Sequence, residues 1–262
     1  MDKEISDDII QKVLVAYKSY VEDKKPLEYI LGHVDFFGKE FFVNEATLIP
    51  RPETEYMITA VTEFINWELR IENAESRKNV LLDIGTGCGV LGISVLLQNP
   101  GYFAHVVFSD YFANALEIAQ KNYHSLVKEY AWKVEFVQAD LLQFIENWEL
   151  SVENSNVVLV ANLPYIPEEM FESNVSDNVK KWEPKPAFVW WHDGLDYYRK
   201  MFDQIISLKL EAWSLRPESI VMFLEMMTWQ VDILRQEFGD RLEFEEVKTF
   251  HFNIKIVKAW LK

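Results

Sequence analysis

Residues 80–89 read VLLDIGTGCG, and this stretch decides the fold. An apolar run of strand length leads directly into three alternating glycines. Glycines let the backbone turn tightly from a strand into a helix and approach a ligand without a Cβ in the way. A dinucleotide-binding pattern also fits here in a shifted register, Gly87 to Gly92, although its first glycine should directly follow the strand. The stretch therefore predicts a strand, a ligand-binding loop and a helix.

Four further apolar runs of strand length follow along the chain. They are VVFSD (106–110), VEFVQ (134–138), VVLVA (157–161) and IVMFL (220–224). Helical segments near 89–98, 113–128, 197–210 and 228–238 separate most of them. This alternation predicts an α/β fold with a mostly parallel sheet, strands buried on both faces and helices on both sides. The segments 242–250 and 252–260 are joined by too few residues for a helical crossover, so they predict an antiparallel C-terminal hairpin.

The chain has a different character before residue 78. Local patterns predict an amphipathic helix with apolar residues from Ile9 to Val21, a hairpin over 34–43 with Gly38-Lys39 as its two turn residues, and a helix that starts near Pro52. A polar linker, IENAESRK, follows. We therefore expect a small N-terminal region of helix, hairpin and helix over 1–77, and a main domain over 78–262.

Composition excludes several classes of protein. The chain has 262 residues and is 49% hydrophobic, which is enough for a sizeable core. It has no apolar run of membrane-spanning length and its N-terminus lacks an apolar signal segment, so we expect a cytoplasmic protein with no membrane partner. One cysteine and five histidines without ligand spacing indicate no metal site. The net charge of −16 opposes binding to phosphate backbones.

Polar residues at the strand ends are the first candidates for a binding site, because ligands of such sheets bind at the carboxyl ends of the strands. Asp110 ends the second strand, where it can accept hydrogen bonds from two ribose hydroxyls or cap the helix that begins near Ala113. Asp140 follows the third strand, where adenine contact and capping of the segment DLLQFIE both remain open.

The fourth strand ends in Asn162-Leu163-Pro164-Tyr165. Pro164 stiffens the backbone, Asn162 offers a side-chain acceptor, Leu163 offers a carbonyl, and Tyr165 offers a ring face. Together these groups predict a slot for a planar NH2 group, whose nitrogen would be aimed at an electrophile by positioning alone. The alternative is a turn without a binding role.

These motifs resemble those of a known family. DIGTGCG, the Asp110 strand end and NLPY are similar to the S-adenosylmethionine-dependent amino methyltransferases. PLEYILGHVDFFGKEFFV, TLIPRPETE, NLPYIPE and WEPKPA followed by DGLDYYRKM resemble, more narrowly, the glutamine methyltransferases that modify peptide chain release factors. The resemblance runs from about Pro26 to Gln230.

The resemblance implies a Rossmann-like sheet, S-adenosylmethionine as cofactor and S-adenosylhomocysteine as product. It also implies a monomer that modifies the glutamine-bearing loop of a release factor without stable nucleic-acid binding. The cofactor residues expected from the motifs and strand ends are Asp83, Gly85, Thr86, Gly87, Cys88, Gly89, Asp110, Asp140, Leu141 and Asn162. The catalytic residues expected are Asn162, Leu163, Pro164 and Tyr165.

The sequence also departs from the family. Leu163 replaces the usual first proline, and Trp190-Trp191 stand where small residues are usual. Glu225-Met226-Met227 lacks a customary glycine. About 25 residues precede Pro26, where the family usually has a bundle of several helices, so docking of the partner is expected to be reduced or altered. The long segment 163–196 is expected to face the substrate.

Two rival functions remain. An adenine amino methyltransferase of DNA or RNA would use the same slot on a flipped base. A catalytically silent binding protein would keep the fold without the reaction. The acidic charge argues against the first rival, and retention of all slot residues argues against the second.

Overall fold

A computed structural model describes residues 6–71, 79–128, 133–147, 156–189, 192–210, 220–247 and 253–262. The strands are β1 His33–Phe36, β2 Lys39–Phe42, β3 Asn79–Ile84, β4 Phe103–Asp110, β5 Lys133–Gln138, β6 Val157–Ala161, β7 Ile220–Met227, β8 Leu242–Val247 and β9 Ile254–Leu261. The helices are α1 Asp7–Val21, α2 Leu27–Leu31, α3 Glu55–Ile71, α4 Val90–Gln98, α5 Ala113–Leu126, α6 Glu168–Asn174, α7 Asp177–Trp182, α8 Asp196–Leu210 and α9 Thr228–Phe238. Short 3-10 helices cover Pro52–Thr54, Gln143–Asn147 and Lys185–Ala187.

Within these described ranges, seven strands form the central sheet in the order β5-β4-β3-β6-β7-β9-β8. The first five are parallel, and β9 runs antiparallel to both β7 and β8. The predicted mostly parallel sheet with an antiparallel C-terminal hairpin is therefore confirmed. The reversal of strand order lies between β3 and β6, so a ligand cleft is expected there.

Hydrophobic side chains cover both faces of the sheet. On one face Tyr198 and Phe202 of α8 and Val231 of α9 pack against β6 and β7. On the other face α3 and α4 pack against the same strands. All residues of β3 and β6 are buried, as predicted, but β5 is partly exposed along its length. The prediction that 134–138 is buried on both faces is wrong, because β5 forms an edge of the sheet.

The N-terminal hairpin is confirmed, but its turn differs from the prediction. Phe36 pairs with Lys39, which leaves Phe37 and Gly38 as the two turn residues. Both have positive φ, 46° and 70°, as the tightest hairpin turns require. The prediction of Gly38-Lys39 at the turn is wrong by one residue, since glycine here takes the second position. The strained Phe37 is held by its N–H, which donates to Glu55 Oε1 at 2.8 Å.

The N-terminal elements share a core with the sheet. Met57, Val61 and Ile65 of α3 are fully buried in the same hydrophobic cluster as Leu81 of β3. The predicted helix from Ile9 to Val21 is present as α1, although none of its residues is buried. The linker at 72–78 lies outside the described residues, so the division at residue 77 stays a prediction. No helix in the described part of the chain is long and apolar enough to cross a membrane.

Candidate active site

A cleft that is open to solvent at its mouth lies at the carboxyl ends of β3, β4 and β6. Its floor is the glycine loop after β3 together with Asn162, Leu163 and Pro164. Its other walls come from residues of 46–54, 109–115, 139–141 and 184–187, and from Tyr197. The cleft thus forms where the strand order reverses, as ligand sites of such sheets do.

The glycine loop is shaped by backbone conformations that other residues rarely adopt. Gly85, Gly87 and Gly89 have φ of 68°, 57° and 86°. The loop is fastened to Asp83, whose Oδ2 accepts hydrogen bonds from Thr86 Oγ1 at 2.6 Å and from the N–H of Gly92 at 2.8 Å. Burial raises the pKa of the Asp83 carboxyl to about 7. Asp83 therefore lies behind the loop and supports it.

Asp110 lies at the end of β4 and lines the cleft. Its Oδ2 accepts from the N–H of Gly87 at 2.9 Å, and its Oδ1 accepts from the N–H of Phe112 at 2.9 Å. Burial raises the pKa of this carboxyl above its ordinary value. The alternative that Asp110 caps α5 is wrong, because the N-cap residue of that helix is Phe112 and it has no side-chain cap. Each carboxylate oxygen keeps a lone pair for a further donor.

Asp140 and Leu141 form the wall beyond Asp110. The Asp140 carboxylate binds the ammonium of Lys200 in α8. Its backbone carbonyl, rather than its side chain, receives the N–H of Gln143 at the start of the 3-10 helix, so the capping interpretation is wrong. Leu141 is buried with φ of 55°. Contact of these residues with adenine stays a prediction.

Asn162 follows β6 directly, and both hydrogens of its side-chain amide have acceptors. Nδ2 donates to Thr54 Oγ1 at 3.2 Å and to Glu225 Oε1 at 3.0 Å. The oxygen Oδ1 is therefore the end of the amide left to accept a hydrogen bond from a ligand. Leu163 beside it donates its N–H to the hydroxyl of Tyr198 at 3.3 Å. No described group donates to the Leu163 carbonyl.

Tyr165 lies behind the slot, and its ring is not part of the cleft wall. Its hydroxyl donates to Glu225 Oε1 at 3.0 Å, and its carbonyl accepts from Gln230 Nε2 at 2.8 Å. Burial raises the pKa of the Tyr165 hydroxyl well above its ordinary value. Packing of this ring against a bound amide stays a prediction.

The sequence interpretation missed three residues that hold the slot: Thr54, Tyr198 and Glu225. Glu225 is 1% exposed and lies at the carboxyl end of β7, beside the strand that leads to Asn162. A usable signal was present, because Glu225 is the single charged residue in the apolar run IVMFLEMM. Thr54 and Tyr198 carry no comparable signal, since their hydroxyls gain a role only through contacts distant in sequence.

The segment 163–196, in its described residues, forms one wall of the cleft. It folds into α6, α7 and a 3-10 helix, and Pro184, Pro186 and Ala187 reach the cleft. An ion pair between the buried Glu183 and the partly exposed Arg51 ties this wall to the segment before α3, with Arg51 Nη2 at 2.6 Å from Glu183 Oε1. Glu183 Oε2 also accepts from the N–H of Ile49 at 3.1 Å.

Cys88, His192 and the two tryptophans after Val189 have simple or undescribed surroundings. Cys88 is buried, and burial raises the pKa of its thiol to about 12, so it packs as a small neutral residue. His192 has φ of 55° in the turn before α8. Trp190 and Trp191 lie outside the described residues.

The cleft brings together most of the predicted site. From the cofactor prediction, the lining residues are Gly85, Thr86, Gly87, Cys88, Asp110, Asp140, Leu141 and Asn162. Asp83 lies behind the loop, and Gly89 ends the loop as the N-cap residue of α4. From the catalytic prediction, Asn162, Leu163 and Pro164 line the cleft and Tyr165 does not.

Comparison with known proteins points in the same direction. Residues 68–165 match the family model described as Methyltransferase small domain. The chain is 38% identical to the release factor glutamine methyltransferase of Bacillus anthracis over 180 residues, which is 69% of this chain and 58% of that protein. It is 33% identical to the one of Bacillus subtilis over 205 residues, 77% of this chain and 66% of that protein. The chain thus spans roughly three fifths of the length of these curated relatives.

Solved structures share the fold at low identity. The catalytic domain of human METTL16, in complex with the MAT2A 3′UTR hairpin 6, superimposes with a TM-score of 0.58 at 13% identity, covering 99% of this chain and 83% of that one. The N-terminal domain of human METTL16 in complex with SAH gives 0.57 at 14% identity, covering 97% and 82%. At such identity the likeness concerns the fold alone. The chain therefore has the Rossmann-like fold of the S-adenosylmethionine-dependent methyltransferases, and the resemblance of its motifs to the release factor glutamine methyltransferases is confirmed by its curated sequence relatives.

Proposed function

We propose that the protein transfers a methyl group from S-adenosylmethionine to the side-chain amide nitrogen of a glutamine in a peptide chain release factor. One observation carries this proposal: Asn162 stands in the same cleft as the glycine loop, with Nδ2 held by Thr54 and Glu225. Its Oδ1 and the Leu163 carbonyl are then two neighbouring acceptors. A glutamine amide has two N–H hydrogens to match them.

The residues of the loop fit the proposed cofactor. A Cβ on Gly87 would meet nothing within 4 Å, so the backbone here faces open space in which a ligand can lie. Asp110 can accept hydrogen bonds from two neighbouring hydroxyls, because each of its carboxylate oxygens accepts only one backbone N–H and keeps a second lone pair. The apolar Leu141 suits the face of a planar ring. When bound, S-adenosylmethionine supplies an electrophilic methyl group.

The chain's own contribution is mainly positional. An amide nitrogen is a poor nucleophile because its lone pair is delocalised, so orientation and proximity are the means by which the site can promote reaction. Asn162 and the Leu163 carbonyl would hold the two hydrogens and fix the plane of the amide. Pro164 stiffens the backbone that carries both acceptors. The nitrogen loses its extra proton after transfer, to water or a nearby acceptor.

The choice of a release factor rests on the curated relatives and on charge. The chain has 42 acidic and 26 basic residues, which favours a basic protein partner and opposes stable binding of nucleic acid. A release factor loop that works against ribosomal RNA should be basic. The proposal includes a monomeric enzyme that acts in the cytoplasm, where release factors work.

Two other functions make different predictions. An adenine amino methyltransferase would use the same two acceptors on a flipped base, because the slot recognises any planar NH2 group. A catalytically silent binding protein would keep cofactor affinity without turnover. Substrate competition separates the three.

The deciding experiment incubates the protein with S-adenosylmethionine and a bacterial release factor, and uses mass spectrometry to find one added methyl on a single glutamine. Parallel reactions contain oligonucleotides or total RNA across a salt series, and the Asn162→Ala variant serves as the inactive control. Methylation of adenines with an unmodified release factor would replace the proposal by the adenine function. Cofactor binding without methylation of either substrate would favour the silent binding protein.

A further inference from the structure

Glu225 is an acid in an otherwise apolar strand, and burial raises the pKa of its carboxyl above the ordinary value. It is 1% exposed, and its Oε2 has no hydrogen-bond partner within the described structure. An unpartnered buried carboxylate oxygen is costly and calls for an explanation. Among the described residues no cation is paired with this carboxylate. We therefore look for its role in the groups that donate hydrogen bonds to its other oxygen, Oε1.

Both predicted acceptors of the slot depend on this one residue. Glu225 Oε1 accepts from Asn162 Nδ2 and from the hydroxyl of Tyr165, each at 3.0 Å. The backbone carbonyl of Glu225 accepts from the hydroxyl of Tyr198, which in turn accepts from the N–H of Leu163. The side chain thus fixes Asn162, and the backbone fixes the peptide that carries Leu163.

The orientation of Asn162 decides what the slot can bind. The two ends of a side-chain amide have nearly the same shape, but one accepts and the other donates hydrogen bonds. With Nδ2 on Glu225 Oε1, the oxygen is left for a ligand N–H. Turning the amide over would place Oδ1 about 3.0 Å from Glu225 Oε1, an oxygen that already accepts a hydrogen bond from the Tyr165 hydroxyl, and would lose both hydrogen bonds of Nδ2.

We propose that Glu225 is a positioning residue that holds the Asn162 side chain with its oxygen toward the ligand, so that the slot selects an NH2 group and excludes a carboxylate or a reversed amide. This inference rests on the proposed function, which it deepens by naming the residue that sets the amide specificity. If Asn162 turned over, a glutamine would bind with its oxygen where its nitrogen must lie. Such a complex binds substrate but does not react.

Two substitutions of similar size distinguish the role of Glu225 as a hydrogen-bond acceptor from a role in packing alone. Glu225→Gln keeps a carbonyl oxygen that can accept from Asn162, and its NH2 can occupy the place of the unpartnered Oε2. Glu225→Met keeps the length of the side chain and has no strong acceptor, and methionine already follows in the strand at Met226. Asn99→Ala serves as the control for loss of a buried polar side chain far from the cleft, because Asn99 bonds to Thr62 and Val95 at the end of α4.

The first measurement does not depend on activity. In ¹⁵N NMR spectra, the side-chain NH2 hydrogens of Asn162 should exchange slowly with solvent in the wild type and in Glu225→Gln, and at least about tenfold faster in Glu225→Met. The Asn99→Ala variant should leave this exchange unchanged. Equal exchange in the Met variant and the wild type would overturn the inference.

The second measurement follows methyl transfer to a release factor. For Glu225→Met we expect kcat to fall about 10- to 100-fold while KM for the release factor and the Kd for S-adenosylmethionine change little, and for Glu225→Gln we expect recovery of most of kcat. Equal losses in the two variants would show that the negative charge, and not the acceptor, is required. A Met variant with wild-type kcat would also refute the positioning role.

A further variant keeps the inference testable if Glu225→Met does not fold. Thr54→Val removes the second acceptor of Asn162 Nδ2 from outside β7, and it should accelerate the same NH2 exchange and lower kcat in the same way. No change in either quantity would contradict the inference. A wild type that methylates no release factor would refute the proposed function, whereas the NMR comparison would still decide the orientation of Asn162.

Discussion

Replacement of Asp110 tests the cofactor site most directly. In the free protein each of its carboxylate oxygens already accepts one backbone N–H at 2.9 Å, from Gly87 and from Phe112. Each oxygen therefore has one lone pair for a ribose hydroxyl. Hydrogen bonds to a charged group contribute about 1.5–3 kcal/mol each.

Two substitutions of Asp110 differ in the number of acceptor oxygens that they keep. Asp110→Asn keeps one acceptor oxygen, so it should lose about one charge-assisted hydrogen bond and weaken S-adenosylmethionine about 10- to 100-fold. Asp110→Ala loses both, and it also releases the N–H of Gly87 that shapes the loop, so its loss should exceed about 100-fold. The expected order of affinity for S-adenosylmethionine is wild type, then Asp110→Asn, then Asp110→Ala, because the number of acceptor oxygens falls in that order.

Isothermal titration calorimetry with S-adenosylmethionine and S-adenosylhomocysteine measures these affinities. Thermal unfolding of the free variants shows whether the loop change spreads to the whole fold. An unchanged Kd in a folded Asp110→Ala protein would remove Asp110 from the cofactor site and refute the reasoning.

The remaining predictions address the slot, the loop and its support. Asn162→Ala should abolish methyl transfer and leave S-adenosylmethionine affinity nearly intact, and near wild-type turnover would contradict the amide slot; Tyr165→Ala should act in the same direction less severely. Gly85→Ala should lower both cofactor affinity and the melting temperature, because its backbone has φ of 68° and the new Cβ would lie 2.8 Å from Leu163 Cδ2; calorimetry and thermal unfolding measure the two effects, and an unchanged protein would show that the loop relaxes without strain. Burial raises the pKa of Asp83 from 3.8 to about 7, so the folded state binds more protons than the unfolded state between these values, and this group's stabilisation is lost as pH rises through that window. Urea unfolding should accordingly show the free energy of unfolding of the wild type falling more steeply than that of Asp83→Asn from about pH 4 to pH 7, and parallel pH profiles would mean that Asp83 titrates normally.

The elements that local sequence determines were predictable. VLLDI and VVLVA are buried strands because short apolar runs before glycine or asparagine have few other stable placements. The carboxyl ends of parallel strands share one edge of the sheet, which is why Asp110 and Asn162 could be assigned to one cleft before the structure was known.

What could not be predicted depends on contacts between distant segments. The orientation of Tyr165 is set by Glu225 and Gln230, and neither residue can be linked to it by local spacing. The partial exposure of β5 follows from its place at the sheet edge, which the apolar run 134–138 does not encode. The position of the hairpin turn differs from the prediction because Phe37, a residue that rarely adopts a positive φ, has one here, and its hydrogen bond to Glu55 joins residues 18 apart in sequence.

Under the proposed function, the hydrogen bonds of Asn162 have a consequence for the synthesis of the protein. Thr54 precedes Asn162 by 108 residues, and Glu225 follows it by 63. The glycine loop and Asp110 are translated well before Glu225, so a growing chain contains every cleft residue of the cofactor prediction before its amide slot can be completed. Methyl transfer would then begin only after β7 has joined the sheet. A chain that ends before Glu225 would bind cofactor without modifying any partner.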